Sequence, residues 1–265
     1  MRQSPVRLRS ARAILAYALA VILLGSLLAP WAFAIIHAHW PLIPFRRVFD
    51  RVLLIVALAG LLPMLRAAGI RSVAELGYGR FPFWAWQVLG GFAVGILSLG
   101  LCAVLLRQFT DLKTNYVGNL LSAVAVGVIE ETFFRGGIFG AFRRNCSLGW
   151  AVVVSSGIYA VLHFCKPTEP VTVNWLTGFT HLGMIWQNFG TQVNWLGLVT
   201  LVLVGAVLAL AFEWTKALYF SIGLHAGWVF MLKTVGASLR DQALVWPVLL
   251  LVLVLCWKKF APRSI

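Results

Sequence analysis

Two adjacent acids and a base, Glu130, Glu131 and Arg135, lie inside a chain whose other segments are mostly apolar. Of its 265 residues, 61% are hydrophobic and only 11% are charged, whereas about a quarter of the residues in a soluble domain are charged. A charged side chain at membrane depth costs roughly 2.5 to more than 10 kcal/mol. Such groups persist where they form pairs, line a wet cavity or perform chemistry, so the fold has to accommodate them.

Apolar segments that are long enough to cross a bilayer recur along the sequence. A spanning helix needs about 20 apolar residues, and we predict about eight such helices. We therefore expect an all-α, polytopic membrane protein built around an intramembrane polar site. A basic cytoplasmic arm at 1–12 precedes a single transmembrane domain at 13–265, in which Pro30 is expected to kink or end the first helix. The predicted helices are 13–36, 52–65, 81–106, 116–142, 148–164, 195–212, 217–232 and 243–257.

The net charge of +14 is typical of a membrane protein with basic cytoplasmic loops. With eight spans and a cytoplasmic N-terminus, 13 Lys and Arg residues would face the cytoplasm and 8 the opposite side, with Arg135 inside a helix. This excess favours cytoplasmic N- and C-termini. Hydrophobicity and basic loops also suit a bacterial inner membrane, where the basic arm would attract anionic lipid. We expect the lipid bilayer as a partner and no nucleic acid.

The longest connection between predicted helices runs from 166 to 194 and contains Trp175 and Trp186. Backbone at membrane depth must satisfy its own hydrogen bonds. The segment therefore either lies at the interface, as a loop or a tryptophan-rich helix, or dips into the membrane as a lid or substrate gate. The sequence leaves both interpretations open.

The spacing of the three charged residues predicts different roles for the two glutamates. Glu131 and Arg135 are four residues apart, so they share one helix face and can form an ion pair. Glu130 lies about 100° away on the helix and has no partner on that face. An unpaired carboxylate is a candidate general base. The alternative is that both glutamates only bond neighbouring helices.

Two histidines, His163 and His225, lie within predicted spans. If their helices converge on Glu130, two mechanisms are open. In the first, Glu130 and His163 polarise a water that attacks an amide carbonyl, and His225 stabilises the oxyanion. In the second, Glu130, His163 and His225 bind Zn²⁺ and leave one position for water, although no H-E-x-x-H motif is present. No role is assigned to the three remaining histidines, His37, His39 and His181.

Three motifs occur in order over about 117–230. Glu130 to Arg135 form E-E-x-x-x-R, Tyr159 and His163 have the spacing of F-x-x-x-H, and His225 begins a motif similar to H-x-x-x-N/D. Together they resemble the CPBP family of intramembrane proteases, which includes type II CAAX prenyl endopeptidases and Abi-type bacteriocin-processing and immunity proteins.

The resemblance assigns a role to each matching position. It implies that Glu130 is the catalytic base and His163 its water-activating partner, while His225 polarises the substrate or holds the oxyanion. Glu131 and Arg135 would support them.

The chain departs from the family pattern at two positions. Tyr159 replaces a phenylalanine, and Val229 replaces the asparagine or aspartate expected four residues after His225. Loss of an oxyanion donor could cost about a hundredfold in rate, or on the order of 3 kcal/mol. The Trp228 indole or the Ser221 hydroxyl are the candidate substitutes.

The sequence therefore leaves three functions open. The first is an endopeptidase that cleaves a peptide or protein substrate in or at the membrane, lipidated or not. The second is a catalytically weak or inactive family member that acts as a binding, immunity or scaffold protein. The third is a proton-coupled transporter, because Glu and His within membranes also form proton relays. The sequence contains no recognisable internal repeat of the kind that many transporters have.

Overall fold

The computed structural model describes residues 5–105, 115–164, 169–170, 172–192 and 194–235. Within these ranges the chain is helical and has no strand, which confirms the all-α class. Two π-helical segments are present, Ala74–Tyr78 and Thr132–Phe139, and the second joins α4 to α5. The α-helices are α1 (Pro5–His39), α2 (Phe45–Ala67), α3 (Trp84–Leu105), α4 (Tyr116–Glu131), α5 (Gly140–Arg143), α6 (Leu148–Phe164), α7 (Thr177–Gln192), α8 (Trp195–Thr215) and α9 (Leu218–Val235).

Six helical stretches in the described residues are long and apolar enough to cross a membrane. Helix α6 is apolar but shorter. The chain is thus a multi-pass membrane protein. The eighth predicted helix, 243–257, lies outside the described residues. The six stretches are Ala13–His39, Phe45–Ala67, Trp84–Leu101, Tyr116–Arg143, Trp195–Thr215 and Leu218–Val235.

The chain divides into two compact units. The first unit combines Met1–Ile70 with Val161–Val193, and the second combines Arg71–Ala160 with Asn194–Ile265. The single domain expected over 13–265 stays a prediction.

The first unit is formed by α1, α2 and α7. Its core contains Ala29, Phe45 and Phe49, all fully buried. Helix α1 continues through Pro30 to His39, so Pro30 does not end this helix, and the kink expected as the alternative stays a prediction. Helix α7 lies within the long connection 166–194 and packs against α1. Neither the interfacial nor the lid interpretation of this connection is thereby decided.

Helix α2 begins at Phe45, seven residues before the predicted position 52. Its preceding residue, Pro44, provides no side-chain cap. Instead, the Glu169 carboxylate accepts hydrogen bonds from the backbone N–H groups of Phe45 and Arg46, the latter at 3.1 Å. A carboxylate at this end of a helix bonds unsatisfied N–H groups and complements the helix dipole. The early start therefore depends on a residue far away in the sequence.

In the second unit, α9 packs against α3, α4 and α8. Glycines on α3 and α9 allow close backbone approach: a Cβ added to Gly227 would lie 3.1 Å from the Cα of Gly95. Small residues at such crossings are typical of helix packing in membranes. This contact fixes the position of α9, which carries His225.

Three connections of the second unit meet at one end through ion pairs. Arg144 pairs with Glu75 at 2.7 Å. Glu213 pairs with Arg143 at 3.0 Å and with Lys216 at 2.7 Å. The connections after α5 and α8 and the π-helical segment Ala74–Tyr78 therefore lie on the same side of this unit. The predicted topology requires this arrangement, because it assigns all three connections to the cytoplasm.

His181 in α7 is a packed histidine. It is fully buried, and neither ring nitrogen has a hydrogen-bond partner among the described residues. Its ring meets those of Phe45 and Phe49 edge-on, with centroids 5.2 and 4.7 Å away. Burial lowers the pKa of His181, an effect that nearby Arg46 adds to and Glu169 opposes.

We expect His181→Phe to stabilise the purified protein, because it replaces an unsatisfied polar ring by an apolar one. Below the ordinary histidine pKa of about 6.5, the unfolded chain takes up a proton that the folded chain resists. As the pH is lowered, the wild type should therefore lose stability more steeply than the variant does. Thermal unfolding in detergent across this pH range measures both effects. The exposed control His39→Phe should keep the wild-type slope, and an equal slope in His181→Phe would contradict the prediction.

Candidate active site

The acidic pair lies halfway along a membrane-spanning stretch. Tyr116–Arg143 is an apolar helical run of 28 residues, and Glu130 is near its centre, about 20 Å from either end. His225 is likewise near the centre of the span Leu218–Val235. Polar groups of two helices therefore meet at mid-depth, where charge is most costly.

The ion pair expected from the spacing is present and buried. Arg135 Nη1 lies 3.0 Å from Glu131 Oε1, and the two side chains are 2% and 0% exposed. Arg135 also donates to the carbonyl of Gly205 on α8 at 3.4 Å. Its Cζ lies 4.7 Å from the ring centre of Tyr159 on α6, within cation–π range. Arg135 is thus held from three directions.

His225 connects the two glutamates. Its Nδ1 donates to Glu131 Oε1 at 2.8 Å, because a carboxylate oxygen is an acceptor. Its Nε2 lies 3.8 Å from Glu130 Oε2. A histidine bonded through one nitrogen to a carboxylate is fixed in orientation and presents the other nitrogen for chemistry. The spacing of these residues in the sequence does not predict that one imidazole lies close to both neighbouring acids.

The two glutamates differ in access. Glu131 is completely buried, whereas the Glu130 side chain is 26% exposed. Glu131 Oε1 contacts both Arg135 and His225, so this oxygen is committed to structure, and Glu131 Oε2 is buried as well. Glu130 is the more accessible of the two side chains, although its Oε2 atom, which faces His225, is itself buried.

Tyr159 supplies the aromatic wall of the site. Its ring meets Phe134 edge-on at 5.0 Å and His225 at 6.3 Å, and the residue is 3% exposed. His163 follows one helical turn later on α6 and is half-buried. It belongs to the first unit, so its approach to Glu130 stays a prediction.

Residues 113–231 match the family model described as Rce1-like, Type II CAAX prenyl endopeptidase Rce1-like. This segment of the chain is similar to that family. The match covers all three sequence motifs and confirms the resemblance to CPBP proteases. At the family level, the match supports a CAAX-type intramembrane protease and hence a peptidase. No curated protein and no solved structure matches the chain.

Val229 is one of the two departures from the family pattern given above. The two substitute donors named above are both engaged: the Trp228 indole donates to Ser98 Oγ at 3.1 Å, and the Ser221 hydroxyl donates to the carbonyl of Leu218 at 3.0 Å. Their proposed role in replacing the missing amide therefore finds no support.

The zinc alternative requires three protein ligands and an open position. No three His, Cys, Asp or Glu side chains in the described part of the chain are grouped to hold a metal ion. Glu130 and His225 provide only two donors in one unit. The third predicted ligand, His163, belongs to the other unit, so the zinc site stays a prediction, and no catalytic step is assigned to a metal.

We expect Glu131→Gln to destabilise the fold by about 3–5 kcal/mol, because it leaves Arg135 buried without a charged partner. The double variant Glu131→Leu/Arg135→Met removes both charges and should recover part of this loss. Denaturant unfolding in detergent measures the free energies of unfolding.

Glu75→Gln is the matched control, since it breaks an ion pair with Arg144 that is exposed and should change stability little. A Glu131→Gln variant as stable as Glu75→Gln would contradict the structural role of the buried pair.

Proposed function

We propose that this protein is an intramembrane endopeptidase that hydrolyses a peptide bond of a membrane-associated or lipidated substrate. Glu130 acts as the general base, together with His163. The observation that carries the proposal is the unequal use of two adjacent carboxylates. Glu131 is buried in an ion pair, while Glu130 is partly exposed at mid-membrane and lies 3.8 Å from His225.

The first step is the attack of water on the scissile carbonyl carbon. Glu130 takes one proton from the water while the hydroxide oxygen forms its bond to carbon. In this proposal His163 orients the same water. General-base assistance of this kind contributes about 10²–10⁴ in rate.

The carbonyl oxygen then carries the negative charge of the tetrahedral intermediate. His225 donates a hydrogen bond to this oxyanion from Nε2 when the ring carries both protons, and the Glu131 carboxylate at Nδ1 compensates the added charge. Glu130 returns its proton to the leaving nitrogen, and the C–N bond breaks. The products are a carboxylic acid and an amine, and a proton then passes from the acid to the amine to give a carboxylate and an ammonium group.

A second candidate function is a catalytically weak or inactive member that binds membrane proteins. The specific observation in its favour is Val229, which cannot donate a hydrogen bond at the position where the family pattern has Asn or Asp. Both nearby substitute donors are engaged elsewhere. In this case the protein would recognise a substrate without releasing product.

We further propose a bacterial inner-membrane location with N- and C-termini in the cytoplasm, from the 13 to 8 distribution of Lys and Arg. Cys146 is free and exposed in the connection after α5, which this orientation assigns to the cytoplasm. A membrane-impermeant thiol reagent should label Cys146 in inverted vesicles and spare it in intact spheroplasts. The reverse labelling would overturn the orientation.

For catalysis, the purified full chain is placed in liposomes with a fluorogenic S-farnesylated C-a-a-X peptide. Glu130→Gln should reduce the cleavage rate by at least about a hundredfold and leave thermal unfolding unchanged. Glu75→Gln, which changes an exposed acid paired with Arg144, should cleave at the wild-type rate. Full cleavage by Glu130→Gln would exclude Glu130 as the base. A folded wild-type protein that releases nothing would favour the binding function.

A further inference from the structure

A second polar contact lies along the same pair of helices. Lys233 Nζ on α9 donates to the Ser122 hydroxyl on α4 at 2.6 Å. Ser122 precedes Glu130 by eight residues, and Lys233 follows His225 by eight residues, so the helices are antiparallel here. Eight residues of α-helix span about 12 Å. A cation therefore lies about 12 Å along the α4–α9 seam from the two reactive groups.

The seam between these two polar contacts is apolar. Val126 and Val229 occupy the intermediate turns of α4 and α9, and both are half-buried. The helices approach closely nearby, because a Cβ added to Gly127 would lie 3.0 Å from the carbonyl oxygen of Ile222. The α4–α9 seam thus presents a carboxylate with a histidine, then an apolar surface, then an ammonium group.

The charge of Lys233 is not neutralised by any described carboxylate. Its contact there is a neutral hydroxyl, whereas Arg135, Arg143, Arg144 and Lys216 of the same unit each pair with a glutamate. Lys233 is half-buried, and its head group is directed to the neighbouring helix. An ammonium with a hydroxyl beside it is a suitable receptor for a carboxylate, which accepts charge-assisted hydrogen bonds.

We propose that Lys233, assisted by Ser122, binds the C-terminal carboxylate of the substrate and thereby sets the distance between the chain end and the cleaved bond. The inference rests on the proposed function at Glu130. An extended peptide spans about 3.3–3.6 Å per residue, so 12 Å corresponds to three or four residues after the scissile bond. Val229 then contacts the apolar side chains of these residues.

The family description is consistent with this length. In a C-a-a-X substrate, three residues follow the lipidated cysteine and the last one carries a free carboxylate. Lys233 would recognise the negative charge at the C-terminus of the substrate and the distance of that charge from the cleaved bond.

The test uses two S-farnesylated C-a-a-X peptides that differ only in a C-terminal carboxylate or amide. Binding of each peptide is measured by fluorescence, with the full-length Glu130→Gln protein in liposomes. Cleavage is measured with the protein in which Glu130 is intact. With Lys233 present, the carboxylate peptide should bind at least about tenfold more tightly, as expected for a hydrogen bond between charged groups. Lys233→Met should reduce the ratio of the two affinities to about one. In the cleavage assay, this variant should change KM and not kcat. Lys233→Arg should restore the preference.

Lys216→Met is the matched control, because Lys216 lies at the opposite end of α9 and pairs with Glu213. It should leave the ratio at the wild-type value. Peptides lengthened by two residues after the cysteine should bind more weakly than the original peptide when Lys233 is present. In Lys233→Met, the lengthening should not reduce affinity.

Equal binding of carboxylate and amide peptides to the protein with Lys233 intact would overturn the inference, whatever the cleavage result. So would an unchanged preference in a folded Lys233→Met variant, or no measurable binding of either peptide. A Lys233-dependent preference without cleavage would overturn the proposed function and leave the carboxylate site standing.

Discussion

The buried ion pair of Glu131 and Arg135 is the interaction on which the rest of the site depends. At mid-membrane neither charge is tolerable alone, so each has to be bonded on several sides. Arg135 reaches the Gly205 carbonyl on α8 and the Tyr159 ring on α6, and Glu131 accepts from His225 on α9. One pair on one helix thereby fixes three neighbouring helices and the histidine that faces the reactive carboxylate.

The same constraint explains why two adjacent acids serve better than one. Glu131 is fully buried in contact with Arg135 and His225, so it is not accessible to bulk water. Its neighbour Glu130 points about 100° away on the helix and remains 26% exposed. His225 joins the two roles, because its Nδ1 is held by the structural acid and its Nε2 faces the accessible one. Glu131 thus holds His225 in place, whereas Glu130 is the acid that is accessible for chemistry.

Local features of the site and the general class of the fold could be predicted from the sequence. Hydropathy indicated an all-α membrane protein, and the four-residue spacing indicated the pair of Glu131 and Arg135, because both depend only on neighbours in one helix. The bond between His225 and Glu131 joins residues 94 apart, and the contact of Lys233 with Ser122 joins residues 111 apart. Such contacts depend on how α4 and α9 pack, which no local pattern contains. The early start of α2 depends in the same way on Glu169.

The most direct test of the central claim requires no choice of substrate. New protein termini are compared in membranes from wild-type cells, cells that lack the protein, and cells that carry Glu130→Gln at the normal level. The account predicts a set of termini present in the wild type and absent from both other strains, and these termini would identify the substrate. Identical termini in all three strains would contradict hydrolysis at Glu130 and leave a binding role for the same intramembrane site.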